Sequence, residues 1–292
     1  MRFRPFSMYP LFTDLLSSIG RALLPEQCRM CLLTLAKRSA ATSALCERCY
    51  LSLPGLLTPR CTQCAEPWAP VTSASSAEPI EPNSTNSTNS TNLPNSHNPP
   101  NPTSTTRFIC ATCRYWHPAF DATITCCDYA APVNQWILQM KHHNDIGTAK
   151  TLAQLIAFTW QKTDKSPPID WIIPAPISRH RLITRGYNQA AVMAATVATK
   201  MQSRLILGLV NKPIETAQQA TLHAEHRADN LKSAFSVNKS HPQFASVAGK
   251  HIAIVDDVMT TGATLETLAD LLKKECGVAR VTCLVFARTP PP

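Results

Sequence analysis

Ile252-Ala253-Ile254-Val255-Asp256-Asp257-Val258-Met259-Thr260-Thr261-Gly262-Ala263-Thr264 is the stretch that decides how this 292-residue chain folds. Its first four residues have the length and β-branching of a buried parallel strand. Leu265 to Lys274 then have the spacing of a helix that turns Leu268, Leu271 and Leu272 to one side. A loop between the carboxyl end of a strand and the amino end of a helix offers free backbone N–H groups and the positive end of the helix dipole, both of which favour a phosphate. Gly262 lets the backbone come close, and the hydroxyls of Thr260, Thr261 and Thr264 add donors. Asp256 and Asp257, just before the loop, are placed to accept hydrogen bonds from vicinal hydroxyls. The pattern suits a 5-phosphorylated ribose gripped at both ends. A plain strand-turn-helix with solvated acids would need strand, acids and loop to coincide by accident. No Gly-Lys-Ser or Gly-Lys-Thr follows, which excludes a Walker-type loop.

Upstream, Asp170-Trp171-Ile172-Ile173-Pro174-Ala175-Pro176 reads as a second buried strand. A basic turn, Arg179-His180-Arg181, follows, and then Arg185-Gly186-Tyr187-Asn188-Gln189-Ala190. Farther on come Thr216, Gln219, Leu222, Arg227, Asn230 and Ala234-Phe235. The stretch from Ile252 to Thr264 resembles the phosphoribosyl pyrophosphate (PRPP) signature of type I phosphoribosyltransferases. The whole ordered set from Asp170 to Arg288 resembles the ComF family, whose ComFC or GntX-like members are linked to DNA uptake during competence. The resemblance implies an α/β fold, a type I phosphoribosyltransferase-like parallel sheet flanked by helices. It implies PRPP bound with magnesium, Asp256 and Asp257 on the ribose, and Thr260, Thr261, Gly262, Ala263 and Thr264 on the 5-phosphate. Arg179 and Arg185 follow the strand that in this fold class ends beside the leaving group, so they complete the implied catalytic set. Where the family carries Arg before its Thr-x-x-Gln segment this chain has Lys212, a point charge without the bidentate fork. Lys141 matches a family lysine whose contact with ligand is open.

Eight of the twelve cysteines fall in four Cys-x-x-Cys pairs: Cys28 and Cys31, Cys46 and Cys49, Cys61 and Cys64, Cys110 and Cys113. Two such pairs supply a tetrahedral thiolate cage, so four pairs imply two structural zinc ions. Redox dithiols or disulfides fit repeated pairs less well. Sequence order is the default pairing, with an interleaved arrangement as the alternative, and ComF proteins often begin with such zinc ribbons. Forty-five residues separate the third pair from the fourth, against fourteen between the first two. The longer gap holds Asn-Ser-Thr repeats and a Pro- and Asn-rich tail, a composition that cannot bury a core, so about 73–106 reads as a disordered insert. Asn-Ser-Thr also spells a glycosylation acceptor, but zinc thiolates argue for a reducing cytosol, where that chemistry does not occur. Cys126, Cys127, Cys276 and Cys283 read as buried small hydrophobes, and His142 and His143 as surface residues.

A net charge of +9 suits polyanionic ligands, and 44% hydrophobic residues suit a globular chain. Near the amino terminus, Asp14 and Arg21 interrupt Leu11, Phe12, Leu15, Leu16, Ile19 and Leu23, which favours an amphipathic helix over a signal peptide. No segment reaches the roughly 18 apolar residues that span a bilayer. The expected organisation is a helix over 1–24, a double zinc ribbon over 25–118 and a phosphoribosyltransferase domain over 119–292. Its expected elements include helices Val133–Lys141, Thr148–Gln161 and Asn188–Met201, and a strand Leu205–Val210. Two classes of function remain: PRPP-dependent transfer, in competence-linked handling of single-stranded DNA or in nucleobase salvage, and a PRPP-binding scaffold for DNA-uptake proteins. No general base and no nucleobase pocket stand out.

Overall fold

The computed structural model describes residues 27–35, 44–68, 108–142, 144–163, 167–213 and 234–290. The expected amino-terminal helix and the insert lie outside them. Ile252, Ala253, Ile254 and Val255 are fully buried, and the strand they open, β6 (His251–Met259), needs cover on both faces and partners on both edges. It pairs in parallel with β2 (Trp171–Pro174) on one side and β7 (Arg280–Arg288) on the other. β7 in turn pairs with β1 (Ala122–Asp128), and β2 with β3 (Arg204–Leu205), giving the all-parallel order β1-β7-β6-β2-β3.

Alternate residues of β6 face two different cores, as the pleat requires. Ala253 and Val255 pack with Leu152 and Ile156 of helix α4 (Ile146–Lys162) and Met193 and Val197 of α6 (Gln189–Met201). Ile252 and Ile254 pack with Leu265, Leu268 and Leu272 of α7 (Ala263–Cys276). Each such side chain contributes roughly 1.5–3 kcal/mol by leaving water. Helix α3 (Val133–His142) joins the first face through Val133, Ile137 and Met140. Cys126, Cys127, Cys276 and Cys283 are buried, as expected of small hydrophobes.

The cysteine-rich segment carries two short helices, α1 (Glu47–Leu51) and α2 (Ala111–Trp116), and covers the β1 edge of the sheet. The backbone N–H of Thr123 donates to the Thr62 carbonyl (3.2 Å) and that of Asp128 to the Pro54 carbonyl (2.7 Å). Arg60 and Asp128 pair at 2.7 Å where both are largely buried. An edge that would otherwise offer unpaired groups is thereby closed.

Two expectations need correction. The residues 205–210 do not form one strand: Gly208, at φ 78°, turns the chain. β4 (Val210–Asn211) then pairs antiparallel with β5 (Ser236–Val237), away from the main sheet. The basic turn at 179–181 is the start of helix α5 (Arg179–Arg185), capped by the Ser178 hydroxyl accepting from the Arg181 N–H at 3.3 Å and ended by Gly186 at φ 72°.

Candidate functional site

Each four-cysteine group combines a hairpin with a helix start. In the first hairpin the Cys28 N–H donates to the Leu33 carbonyl (2.8 Å) and the Leu32 N–H to the Cys28 carbonyl (2.7 Å), with Leu32 at φ 60°. The second repeats this: the N–H groups of Cys61 and Ala65 reach the carbonyls of Glu66 and Cys61, both at 2.9 Å, with Ala65 at φ 57°. Cys46 and Cys110 cap α1 and α2, and Cys49 and Cys113 lie one turn further in. The second pair of each group thus comes from a helix N-terminus, not from another hairpin.

Cys28, Cys31, Cys46 and Cys49 converge in one group, and Cys61, Cys64, Cys110 and Cys113 in the other, with the sulfurs of each within 4.8 Å of one another. This is the sequence-order pairing. The Cys31–Cys46 and Cys64–Cys110 sulfur separations of 3.8 and 3.7 Å match the roughly 3.8 Å edge of a tetrahedron built on bonds of about 2.3 Å to a metal. They are far too long for disulfides. Either group can therefore hold a metal ion.

Their thiols are unequal. Burial would raise Cys28, but the N–H groups of Cys31, Cys46 and Met30 outweigh it and bring the thiol down to about 6. Cys61 is held at about 4, chiefly by the Cys64 thiol and also by the backbone of Cys110. Cys49 is pushed up by burial, Cys64 by Cys61 and then burial, and Cys113 to about 12 by burial. A cation that displaces these remaining protons would complete each cage.

The second candidate site lies where β6 leaves the core. Asp256 accepts the Asp257 N–H at 2.9 Å, and the Asp257 carboxylate pairs with Lys141 of α3 at 2.8 Å. Burial, followed by the charge of Asp257, pushes Asp256 up to about 7. The two acids line a pocket of about 140 Å³ with Lys141, Arg181, Arg185, Lys212, Ser178, Gln189 and Thr264. Lys212 lies over the Phe235 ring, 5.2 Å from its centroid. Gln189 is 3% exposed, and its side-chain nitrogen has no hydrogen-bond partner. An orphaned donor facing a pocket of cations fits an oxygen-rich anion better than an apolar group.

Thr260, Thr261 and Gly262 form the loop, Ala263 begins α7, and the Ala263 N–H turns to the Thr261 hydroxyl at 3.3 Å. Gly262 needs its freedom: φ is 87°, and a Cβ there would lie 2.6 Å from the Met259 methyl. Arg185 lines the pocket, whereas Arg179 is exposed and outside it. Helical spacing explains the difference. Arg181 and Arg185 are four residues apart on one face of α5, and Arg179, two residues from Arg181, points elsewhere. The sequence reading assigns no role to Arg181 or Gln189; the signal that marks Arg181 is that spacing, with Ser178 as cap.

A parallel sheet with an acid pair and a small-residue loop at the carboxyl end of its central strand defines a phosphoribosyltransferase-type domain, here joined to two four-cysteine groups that could hold metal. The phosphoribosyl transferase domain family matches residues 188–291. Competence protein F of Haemophilus influenzae is 30% identical over 182 residues, which is 61% of this chain and 78% of that protein. DNA utilization protein YhgH of Escherichia coli K12 is also 30% identical, over 62% of this chain and 78% of its own length. A solved hypoxanthine phosphoribosyltransferase of Staphylococcus aureus is 14% identical, covering 49% of this chain and 68% of its own, at a TM-score of 0.31, a slight likeness. The chain belongs to the ComF family.

Asp256 makes a pH test available. Its folded value of about 7 lies above the ordinary 3.8, so the folded protein keeps a proton that the unfolded chain releases. The stability this group contributes is complete below about pH 4 and is lost as pH rises through about 7. Asp256→Asn cannot ionise and keeps an oxygen for the Asp257 N–H. The variant is expected to melt above the wild type at pH 8 but not at pH 4, in buffer free of magnesium and sugar phosphate. A wild-type advantage at pH 8 would contradict the assignment.

Proposed function

We propose that this protein binds PRPP through Asp256, Asp257 and the loop Thr260–Thr264, and that two zinc ions hold its amino-terminal module. In this reading it acts in the cytoplasm on incoming single-stranded DNA or with the proteins that deliver it. The observation that carries the proposal is the single pocket shared by the acid pair, Thr264 and the cations Arg181, Arg185 and Lys212. The acids accept the vicinal ribose hydroxyls, and the loop N–H groups and hydroxyls take the 5-phosphate. Arg181, Arg185 and Lys212 neutralise pyrophosphate, with the Gln189 amide as a further donor. A magnesium ion carried in with PRPP would supply charge neutralisation beside the acids, whose mutual repulsion suits a cation. The residues of this chain thereby position the ribose and draw charge toward the pyrophosphate, as a displacement at the anomeric carbon requires. Arg179, on the outer side of α5, keeps at most a role in long-range attraction.

Support for the DNA role comes from the relatives: one is named for competence and the other for DNA utilization. Support for zinc comes from the all-thiol donor sets, which favour thiophilic ions and stay reduced in the cytoplasm.

Charge-assisted hydrogen bonds to ribose are worth about 1.5 to 3 kcal/mol each. The Asp256→Asn, Asp257→Asn double variant is therefore expected to bind PRPP at least tenfold more weakly by calorimetry and to lose transformation in a competent host. Unchanged affinity would reduce the motif to a structural turn. Pyrophosphate release from PRPP, assayed with single-stranded DNA and with free nucleobases, separates the DNA role from salvage. Elemental analysis of the reduced chain should find two zinc ions, and fewer than one would contradict the two-site reading.

A further inference from the structure

Arg288 ends β7 and is 9% exposed. Parallel register sets it beside Met259, the last residue of β6. Its guanidinium donates through Nε to the Cys64 carbonyl at 3.1 Å, and through Nη1 to the carbonyls of Met259 (3.2 Å), Thr260 and Thr289 (2.7 Å). Among the described residues no carboxylate lies within ion-pair distance of it. A buried cation is costly unless its donors are satisfied, and here main-chain carbonyls take the donors of Nε and Nη1. Those carbonyls belong to separate segments: Cys64 lies in the hairpin of the second cysteine group, and Thr260 opens the phosphate loop.

A second tie runs in parallel. The Ala119 N–H, just beyond α2, donates to both carboxylate oxygens of Glu266 at 3.0 and 2.8 Å, and Glu266 lies in the first turn of α7. Phe120, between them, shares one core with Cys61, Cys64, Cys113, Met259 and Leu265. The first cysteine group packs into the opposite core, with α3 and α4.

We propose that Arg288 is a positioning residue that couples the second cysteine group to the phosphate loop, so that the sugar-phosphate site reaches full affinity only when Cys61, Cys64, Cys110 and Cys113 hold their metal. This rests on the PRPP reading above. Loss of the metal frees the hairpin, and movement of the Cys64 carbonyl strands one guanidinium donor in a buried place. The guanidinium then resettles, and the Thr260 carbonyl it holds moves with it. Coupling of this kind is reciprocal: if the metal strengthens PRPP binding, PRPP retains the metal by the same factor. The first group, on the other face, makes neither the Arg288 nor the Glu266 contact.

The test uses the full chain with both sites loaded with zinc. Zinc is withdrawn by a chelator, freed thiols are trapped by alkylation, and the modified cysteines are mapped on peptides with and without saturating PRPP. Pyrophosphate alone controls for chelation by the ligand. PRPP is expected to slow alkylation of Cys61, Cys64, Cys110 and Cys113 at least fivefold and to leave Cys28, Cys31, Cys46 and Cys49 unchanged. In Arg288→Lys, which keeps the charge but not the fork, that protection should disappear and PRPP affinity fall about tenfold, with two zinc ions retained. If calorimetry shows no PRPP binding by the wild type, the sugar-phosphate reading falls and the coupling with it. If the wild type binds PRPP and both groups are alkylated at unchanged rates, the coupling is overturned and the PRPP reading stands. The wild-type comparison decides the matter even if the variant does not fold.

Discussion

The site depends on one constraint: β6 is buried on both faces as far as Val255 and hydrogen-bonded on both edges, so the residues after Val255 have one possible place. A one-residue slip against β2 or β7 would turn Ile252 and Ile254 into the wrong core. With register locked, Asp256 and Asp257 emerge at the carboxyl end of the sheet, in front of the amino end of α7. The same register brings Arg288 beside Met259, and hence beside the loop. The pocket, the loop after Met259 and the tie from that loop to the second cysteine group therefore follow from how a single strand is seated.

The pocket is arranged against its own stability. Asp256 is driven toward its neutral form by burial and by Asp257, and Gln189 hides an amide nitrogen with no partner. Lys141 relieves part of the charge by pairing with Asp257. Groups held in this way are characteristic of sites shaped for a ligand rather than for the apo fold. Arg60, by contrast, satisfies Asp128 and two carbonyls at the sheet edge, which is an arrangement for cohesion.

Much of this is legible in the chain. Burial on both faces leaves an uninterrupted apolar run, so β6 and α7 announce themselves at Ile252–Val255 and Leu265–Leu272. The Cys-x-x-Cys spacing reflects the two-sulfur geometry of a hairpin or a helix start but does not distinguish them, and so the helical halves at Cys46 and Cys110 leave no separate mark. Helix α5 has no apolar period because none of its residues is buried; a cap and a left-handed glycine define it instead. The pairing of Lys141 with Asp257, and the reach of Arg288 to Cys64, join residues far apart in sequence and exist only once the sheet is assembled. Local pattern carries no trace of such contacts.

Hydrogen exchange of the zinc-loaded chain, read by peptide mass with and without PRPP and magnesium, tests most directly whether this pocket is the sugar-phosphate site. Slowed exchange is expected over 256–264, where the loop N–H groups would meet the phosphate, and over 178–190, where α5 and Gln189 would meet pyrophosphate. Unchanged exchange in both segments under conditions where PRPP binds, or protection confined to other parts of the chain, would contradict it.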